Sequence, residues 1–589
     1  MVDYLGTHRQ TDMNKQLGLG LILVVAAVGR LLGSSQGYPD FYGHVDEIGV
    51  AASIWNFFRD ASLRPTEFTY PALYSYLVAS VVACTGIVVA GSFPGAGFFD
   101  RLTLLSYTDP AWSALMGRGV SLVSDMVHVV VIHRLSWRVG AGRWAWFGAL
   151  AYAVALVPVR QAHMALPDAT VALLSTLVVY RAWTILEGDG EWRDYLVAGA
   201  VCGLVVATKY NGALCALAVV GAHLQRASDR AWWQRCFEPR LWGAGAIAVV
   251  IAALACPYFV LAPEQYFGLV RYQLSSLGFA LKETSPWWWI AREWVLQEFV
   301  LGGLLLAGVV WASVKRDRYD WLVLATVVPA FAYIGSWTRE SLHYLLPYLG
   351  ILIVQVTRMW AHTERRMRVD GSRLLVVIAL ATLLPNTIGS LHASWQMQRI
   401  DTRTLAATWI KRQVPDGTGI GMTWLPYCPR LPSTQDSKGL AAAYGRAPDA
   451  INALHAAGAT HPAYDIVNLE VWLKQPSVPE SLRQHIDLDD RETRRVFSRG
   501  WRSPRQLWSL GVRYIVLPSG VYARYLNDDL QPTSIAARYR RQINRAYFQL
   551  LLDSSTSETV AVFAESDTIR GGEIRILRLL QPTRQQAGS

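Results

Sequence analysis

The chain runs to 589 residues, of which 52% are hydrophobic and 17% charged. That pairing excludes an ordinary soluble globular protein, whose surface needs more charge. The formal charge of +11 does not point to nucleic acid, because the Lys and Arg gather in short loops between apolar stretches, as in membrane proteins.

A polar lead precedes an apolar run over 17–32 with no small-residue cleavage site behind it, so a retained first helix is expected. Further stretches long enough for about 30 Å of hydrocarbon recur as far as residue 392. They lie near 70–92, 113–135, 144–160, 168–186, 194–208, 211–225, 241–261, 296–314, 320–336, 341–357 and 373–392.

The basic loops fix which of these cross. Arg134, Arg138 and Arg143 fall in one loop, Arg226, Arg230, Arg235 and Arg240 in a second. Lys315, Arg316 and Arg318 fall in a third, Arg358, Arg365, Arg366, Arg368 and Arg373 in a fourth. All four share one parity, and the N-terminus with Arg9 and Lys15 joins them only if an early segment fails to cross. The segment 70–92 is chosen, because it follows the Tyr70–Pro71 step and carries Tyr74 and Tyr76, which suits an interfacial helix. Eleven crossings are then expected, in a mainly α membrane protein with a cytoplasmic N-terminus; the alternative is twelve crossings with an external N-terminus. Segment 34–112, the turns near 161–167 and Lys209, 262–295, 337–340 and everything after 392 then face outward.

From 393 the composition becomes that of a soluble domain. Helices are read over 405–413, 507–510 and 534–551, and strands over 417–424, 464–469, 512–517, 559–564 and 573–579. This alternation predicts a small α/β domain over 393–589 behind a membrane domain over 1–392. Of six cysteines only Cys428 lies in that tail, so it holds no internal disulfide, and no CxxC pair points to zinc.

The polar residues with chemical potential gather on the outward face. Asp46 and Glu47 open a segment reading IGVAASIWNFF; helix capping alone accounts for acids at a helix start. Asp168 opens a span after Pro167, another position where capping suffices. Lys209, in VVATKYNGAL, is an ammonium between apolar runs, where a cation needs a partner or a task. Arg118 and Arg339 end spans on the same side, where snorkelling would place them. Together, two acids and three cations suit glycosyl transfer from a polyprenyl phosphate. A carboxylate takes the acceptor proton, and cations receive the charge growing on the departing phosphate. Nucleotide sugars are cytoplasmic, whereas a lipid-linked donor reaches the outer face.

The pieces DEIGVAASIW, EFTYPALYSYLVA, VRQAHMALPDATVALL, GLVVATKYNGAL and RESLHYLLPYLGIL, with Arg118 between them, resemble the GT-C fold membrane glycosyltransferases. The similarity is to bacterial relatives of the protein O-mannosyltransferases and of the lipid A aminoarabinose transferase. TRTLAATWIKRQVPDGTGI and LWSLGVRYIVLPS resemble the extracytoplasmic domain of such proteins. The resemblance implies a GT-C bundle with interfacial helices in its first external loop and an inverting transfer to a hydroxyl of a protein, lipid or glycan. It makes Asp46 the base and places Asp168 in the acceptor or donor site. Lys209 and Arg339 would hold the lipid phosphate, and Glu47, Arg118, His163, His343 and Tyr344 complete the expected substrate-binding set. The chain departs from the pattern at His343, where a fixed cation is expected, and at Asp168, which lacks a second acid two residues away. No cofactor is therefore required; His44, His163 and the acids offer few oxygen ligands for a divalent metal.

Other signals carry less. Gly243-Ala244-Gly245 reads as close helix packing, the glycines at 417, 419 and 421 as a weak loop signal, and Asp487-Leu488-Asp489-Asp490 as a solvated charge run. Trp287-Trp288-Trp289 reads as an interfacial anchor and His128 as a satisfied packing residue. A transporter or flippase of lipid-linked sugars is the competing reading; it calls for ionisable groups near the midplane and repeated halves.

Overall fold

The computed structural model describes residues 18–89, 97–226, 231–277, 288–337, 340–367, 371–423, 427–434, 463–472, 497–529 and 535–582. Two compact units emerge. The first takes in Met1–Gln36, Gly49–Cys84 and Ser113–Gln398; the second takes in Gly37–Ile48, Thr85–Trp112 and Arg399–Ser589. The second unit thus recruits two stretches near the N-terminus beside the tail that the sequence sets apart at 393.

The helices run in chain order as α1 (Gly18–Leu31), α2 (Glu47–Arg59), α3 (Leu73–Val89), α4 (Phe98–Thr108), α5 (Trp112–Ser136), α6 (Ala145–Val154) and α7 (Leu156–Ala162). Next come α8 (Asp168–Glu187), α9 (Trp192–Thr208), α10 (Leu217–Gln225), α11 (Trp232–Arg235), α12 (Pro239–Ala255), α13 (Tyr258–Leu261) and α14 (Pro263–Leu277). The series before the tail ends with α15 (Trp288–Lys315), α16 (Arg318–Gly335), α17 (Leu346–Arg366) and α18 (Gly371–Gln398).

Among the described residues, five helical stretches are long and apolar enough to cross a bilayer: Trp112–Val154, Asp168–Glu187, Trp288–Lys315, Leu342–Arg366 and Arg373–Gln398. Their outer faces are apolar, as on α18, where Leu374, Val377, Leu384 and Ile388 are exposed. Such a surface is stable in hydrocarbon and unfavourable in water. This is a multi-pass membrane protein. The segment read as interfacial is the helix α3. Two spans read as continuous are broken: 144–160 turns at Ala155, between α6 and α7, and 211–225 starts as a 3₁₀ turn, Tyr210–Ala216. The first break survives because the Glu298 carboxylate accepts the freed amides of Leu156 (2.9 Å) and Val157 (2.7 Å), and is itself held by Asn386 Nδ2 (2.7 Å).

The charged groups deepest in the bundle interior are paired, as hydrocarbon demands. Arg30 donates to the Asp125 carboxylate and to the carbonyls of Ala153 (2.7 Å) and Tyr152 (3.3 Å). Tyr152 Oη donates to Asp125 Oδ1 (2.6 Å), and His128 contacts Tyr152 Oη (2.8 Å) and Thr176 Oγ1 (2.7 Å). His128 is thus a satisfied packing residue. Trp289 is buried, with Nε1 donating to the Gly335 carbonyl (3.1 Å), so it is a packing residue; Trp288 is exposed. Trp287 and Asp487-Leu488-Asp489-Asp490 lie outside the described residues.

Helix α9 lies close against α12 through Gly199 and Gly203, one turn apart. A Cβ on Gly203 would stand 2.5 Å from the Ala248 carbonyl oxygen, and one on Gly199 would meet that of Ala244. Both helices contribute small residues: Gly199 and Gly203 of α9 let the backbones approach, Gly243 of α12 makes room for the Trp192 ring of α9, and Gly245 faces open space.

In the second unit the tail's helices are α19 (Thr402–Gln413), α20 (Pro504–Ser509), α21 (Ser519–Leu526) and α22 (Ile535–Leu552). Its strands are β1 (Ile400–Asp401), β2 (Gly419–Met422), β3 (Asp465–Asn468), β4 (Glu470–Trp472), β5 (Arg499–Trp501), β6 (Val512–Pro518), β7 (Ser557–Phe563), β8 (Ile569–Arg570) and β9 (Ile574–Leu579). Five form one sheet in the order β3-β2-β6-β9-β7, parallel from β3 to β6 and antiparallel beyond. Alternation along the strands divides the core. Val516, Ile574 and Ile576 pack with Ala406 and Ile410 of α19, whereas Ile515, Leu517 and Leu577 pack with Phe548 and Leu551 of α22.

A bulky residue on the buried face of α9 must force the two backbones apart. Gly203→Val is expected to cost about 2–3 kcal/mol and to lower the unfolding temperature in detergent, while Gly245→Val leaves it unchanged. Equal melting of both variants would contradict the assignment of the close face.

Candidate active site at the start of α8

Helix α8 begins at Asp168, directly after Pro167, with its carboxylate in the first turn, where the helix dipole favours it. Helix α9 ends at Thr208, and Lys209 caps it in an extended conformation before the Tyr210–Ala216 turn. This change of direction brings the lysine to the acid across 41 residues of chain. Lys209 Nζ donates to Asp168 Oδ1 at 2.7 Å and to Oδ2 at 2.9 Å. Both side chains are buried, 7% and 1% exposed. Two aromatic rings complete the surroundings: the ammonium lies 4.9 Å from the Tyr70 centroid and 5.8 Å from that of Tyr344, within cation–π range.

The neighbouring turn is held from α17. Asn211 Nδ2 donates to the Tyr344 carbonyl (2.8 Å), and Tyr348 Oη donates to the Asn211 carbonyl (2.5 Å). Lys209 therefore stands on a fixed backbone, oriented by a carboxylate, with the third N–H of its ammonium left for an incoming acceptor. The arrangement is a preorganised cation in a low-dielectric, aromatic setting, suited to an anionic oxygen.

Several expected site residues have other engagements. Arg118, buried on α5, donates to the carbonyls of Gln36 (2.5 Å) and Ser34 (3.2 Å), tying down the chain after α1. His163 is fully buried, and its carbonyl accepts from Gln36 Nε2 (3.3 Å). His343 meets Ser341 Oγ through Nδ1 (2.6 Å) and lies 4.0 Å, centroid to centroid, from Tyr344. Arg339 lies outside the described residues.

In the second unit, the adjacent acids Asp46 and Glu47 differ in kind. Glu47 is fully buried, and its Oε2 accepts the amides of Gly43 (2.7 Å) and His44 (3.2 Å), closing the turn before α2. Asp46 keeps its side chain 36% exposed, while its amide donates to His44 Nδ1 (3.1 Å). The same turn, through Gly43, His44 and Val45, lines a cavity of about 360 Å³ with Thr402, Arg403 and Tyr427. Arg403 is fixed there by two bonds to Asp401 (2.8 and 2.9 Å), and its guanidinium lies 3.5 Å from the Phe41 centroid. Tyr427 escapes the sequence reading, since it stands in no apolar run or quoted motif, and Arg403 lies in the quoted TRTLAATWIKRQVPDGTGI without a signal of its own. Tyr70 and Asn211 lie inside quoted motifs but give no signal of their own. Among the described residues, no three His, Cys, Asp or Glu side chains gather as a metal site.

The chain thus combines an α-helical membrane bundle, holding a buried acid–cation pair at the start of α8, with an α/β tail. Residues 94–258 match the model of the dolichyl-phosphate-mannose-protein mannosyltransferase family. The fold is similar to that of ArnT from Cupriavidus metallidurans bound to undecaprenyl phosphate, with 13% identity over 95% of this chain and 97% of that one and a TM-score of 0.52. The Archaeoglobus fulgidus oligosaccharyltransferase solved with Zn and sulfate aligns at 12% identity over 86% of this chain and 69% of that one, TM-score 0.46. The S. cerevisiae Pmt1-Pmt2 complex bound to the sugar donor aligns at 15% identity over 43% and 34%, TM-score 0.32. No curated protein matches the sequence.

Removing one member of a buried ion pair strands the other. In a double-mutant cycle of Asp168→Asn and Lys209→Gln, the two unfolding penalties are expected to be non-additive by about 2–3 kcal/mol. Strict additivity would show that the two groups do not act as a pair.

Proposed function

We propose that the chain transfers a sugar from a polyprenyl-phosphate carrier to an acceptor hydroxyl on the extracytoplasmic face of a plasma membrane. The observation that carries this reading is the buried Lys209–Asp168 pair beneath Tyr70 and Tyr344. A cation held ready in an aromatic setting at the end of a membrane helix is suited to the phosphate of a membrane-borne donor. The likeness to an ArnT structure bound to undecaprenyl phosphate and the family matched by residues 94–258 support the same donor class.

In this reading Asp46 takes the acceptor proton as the acceptor oxygen attacks the anomeric carbon. The bond from that carbon to the phosphate oxygen breaks, and the lipid phosphate departs with the electron pair. One displacement inverts the anomeric centre. Lys209 receives the charge developing on the phosphate, a role shared with Arg339, and Asp168 orients the ammonium. A phosphate leaving group needs no separate acid, unlike the sugar leaving group of a glycosidase. Tyr344 and His343 complete the donor side, and Glu47, Arg118 and His163 complete the substrate-binding set. No metal step is needed. The proposed topology has eleven crossings, a cytoplasmic N-terminus, and the 393–589 domain outside; protein, lipid and glycan hydroxyls are the acceptor classes.

Purified protein supplied with a radiolabelled polyprenyl-phosphate sugar tests this directly. Asp46→Asn is expected to lower transfer about 10²–10⁴-fold while donor binding and thermal unfolding stay unchanged. Undiminished transfer by the variant sinks the assignment of the base.

A further inference from the structure

A second polar cavity, of about 540 Å³, opens in the membrane unit at the far end of the helices that build the Lys209 site. It is lined by Lys315, Arg318, Arg358 and Arg365, with Trp183 and Trp311 beside them. Trp183 lies 15 residues along α8 from Asp168, which at 1.5 Å per residue places it about 22 Å away along the axis. His362, also on the lining, lies 16 residues beyond the start of α17, about 24 Å along that helix. Two separate helices thus put the cavity near the opposite interface of a hydrocarbon layer about 30 Å thick.

The charge there is not internally balanced. Asp317 is the carboxylate on the lining, and it bonds to Arg358, which also donates to the buried Asp320 at 2.6 Å. Arg358 thus faces two carboxylates, and with Lys315, Arg318 and Arg365 the cluster keeps an excess of positive charge, four cations against two acids. Arg365 spends its donors on the carbonyls of Ala361 (3.1 Å) and Gly140 (3.2 Å), which leaves its charge uncompensated. Lys315 ends α15 and Arg318 starts α16, both exposed, and among the described residues neither is paired. Trp183 Nε1 and His362 Nε2 are buried and likewise find no hydrogen-bond partner among the described residues. A buried indole N–H without an acceptor is a cost that a bound oxygen removes.

We infer that this cavity is a binding site for the phosphate of an anionic phospholipid, held by Lys315, Arg318 and Arg365 with Trp183 Nε1 as a neutral donor. Basic pockets between membrane helices on the face carrying the basic loops match such headgroups in charge and depth. The site is separate from the donor site and stands whether or not sugar transfer is the activity.

The full chain, purified in a neutral detergent, is offered phosphatidylglycerol, phosphatidylcholine or inorganic phosphate, and retained ligand is measured by native mass spectrometry. Phosphatidylglycerol is expected to be retained in preference to phosphatidylcholine. Lys315→Ala with Arg318→Ala should weaken that retention about ten-fold, and both side chains are exposed, so folding survives. Trp183→Phe, which keeps the ring and removes the N–H, should weaken it about three-fold. Equal retention of both lipids, or retention unchanged in the double variant, would overturn the site. Inorganic phosphate competing as well as the lipid would overturn the lipid assignment.

Discussion

The contact between Lys209 and Asp168 is the constraint around which the membrane unit is arranged. Moving either charge out of water costs several kcal/mol, and only a close, well-oriented partner offsets it. The pair therefore works only if the end of α9 and the start of α8 keep a fixed separation. The Tyr344 and Asn211 carbonyls lock the intervening turn to α17, and the glycine face of α9 locks that helix against α12. A side chain that sequence alone marks as out of place is held by a carboxylate and flanked by two aromatic rings.

The same rule recurs deeper in the bundle. Arg30 with Asp125, Glu298 with the broken α6–α7 junction, and Asp320 with Arg358 and Gln355 each bind helices far apart in sequence. Where packing against lipid supplies no hydrophobic drive, such contacts and close backbone approach fix register. They also separate structural charge from chemically available charge. Arg118 and Glu47 are committed to backbone groups, whereas Asp46 presents a partly exposed carboxylate.

Much of this is readable from residue types. Lys209 and Asp168 stand out as charges beside apolar runs, and helices and strands follow one another along the tail, so that β6 and β9 fall within a residue of the strands read over 512–517 and 573–579. What escapes is what depends on distant partners. The break at Ala155 lies just ahead of Pro158, which cannot bond to the Val154 carbonyl, but it persists in the bundle only because Glu298, more than a hundred residues later, satisfies the freed amides. Arg30 and Asp125 sit in spans read only as apolar, and each neutralises the other. Of the glycines that stand out on α12, Gly243 faces α9 and Gly245 does not, and nothing in the sequence marks Gly199 and Gly203, since one helix's small residues do not reveal which face the neighbour uses. Arg118 looks like a free cation until the chain after α1 folds back to it.

The account rests on Lys209 as the seat of the carrier phosphate, and a structure of the full chain with a bound polyprenyl phosphate tests that most directly. The phosphate is predicted within about 3 Å of Lys209 Nζ, with Asp168 still holding the ammonium from behind. Phosphate density elsewhere in the bundle, with Lys209 closed off by Asp168 and the two tyrosine rings, would contradict it.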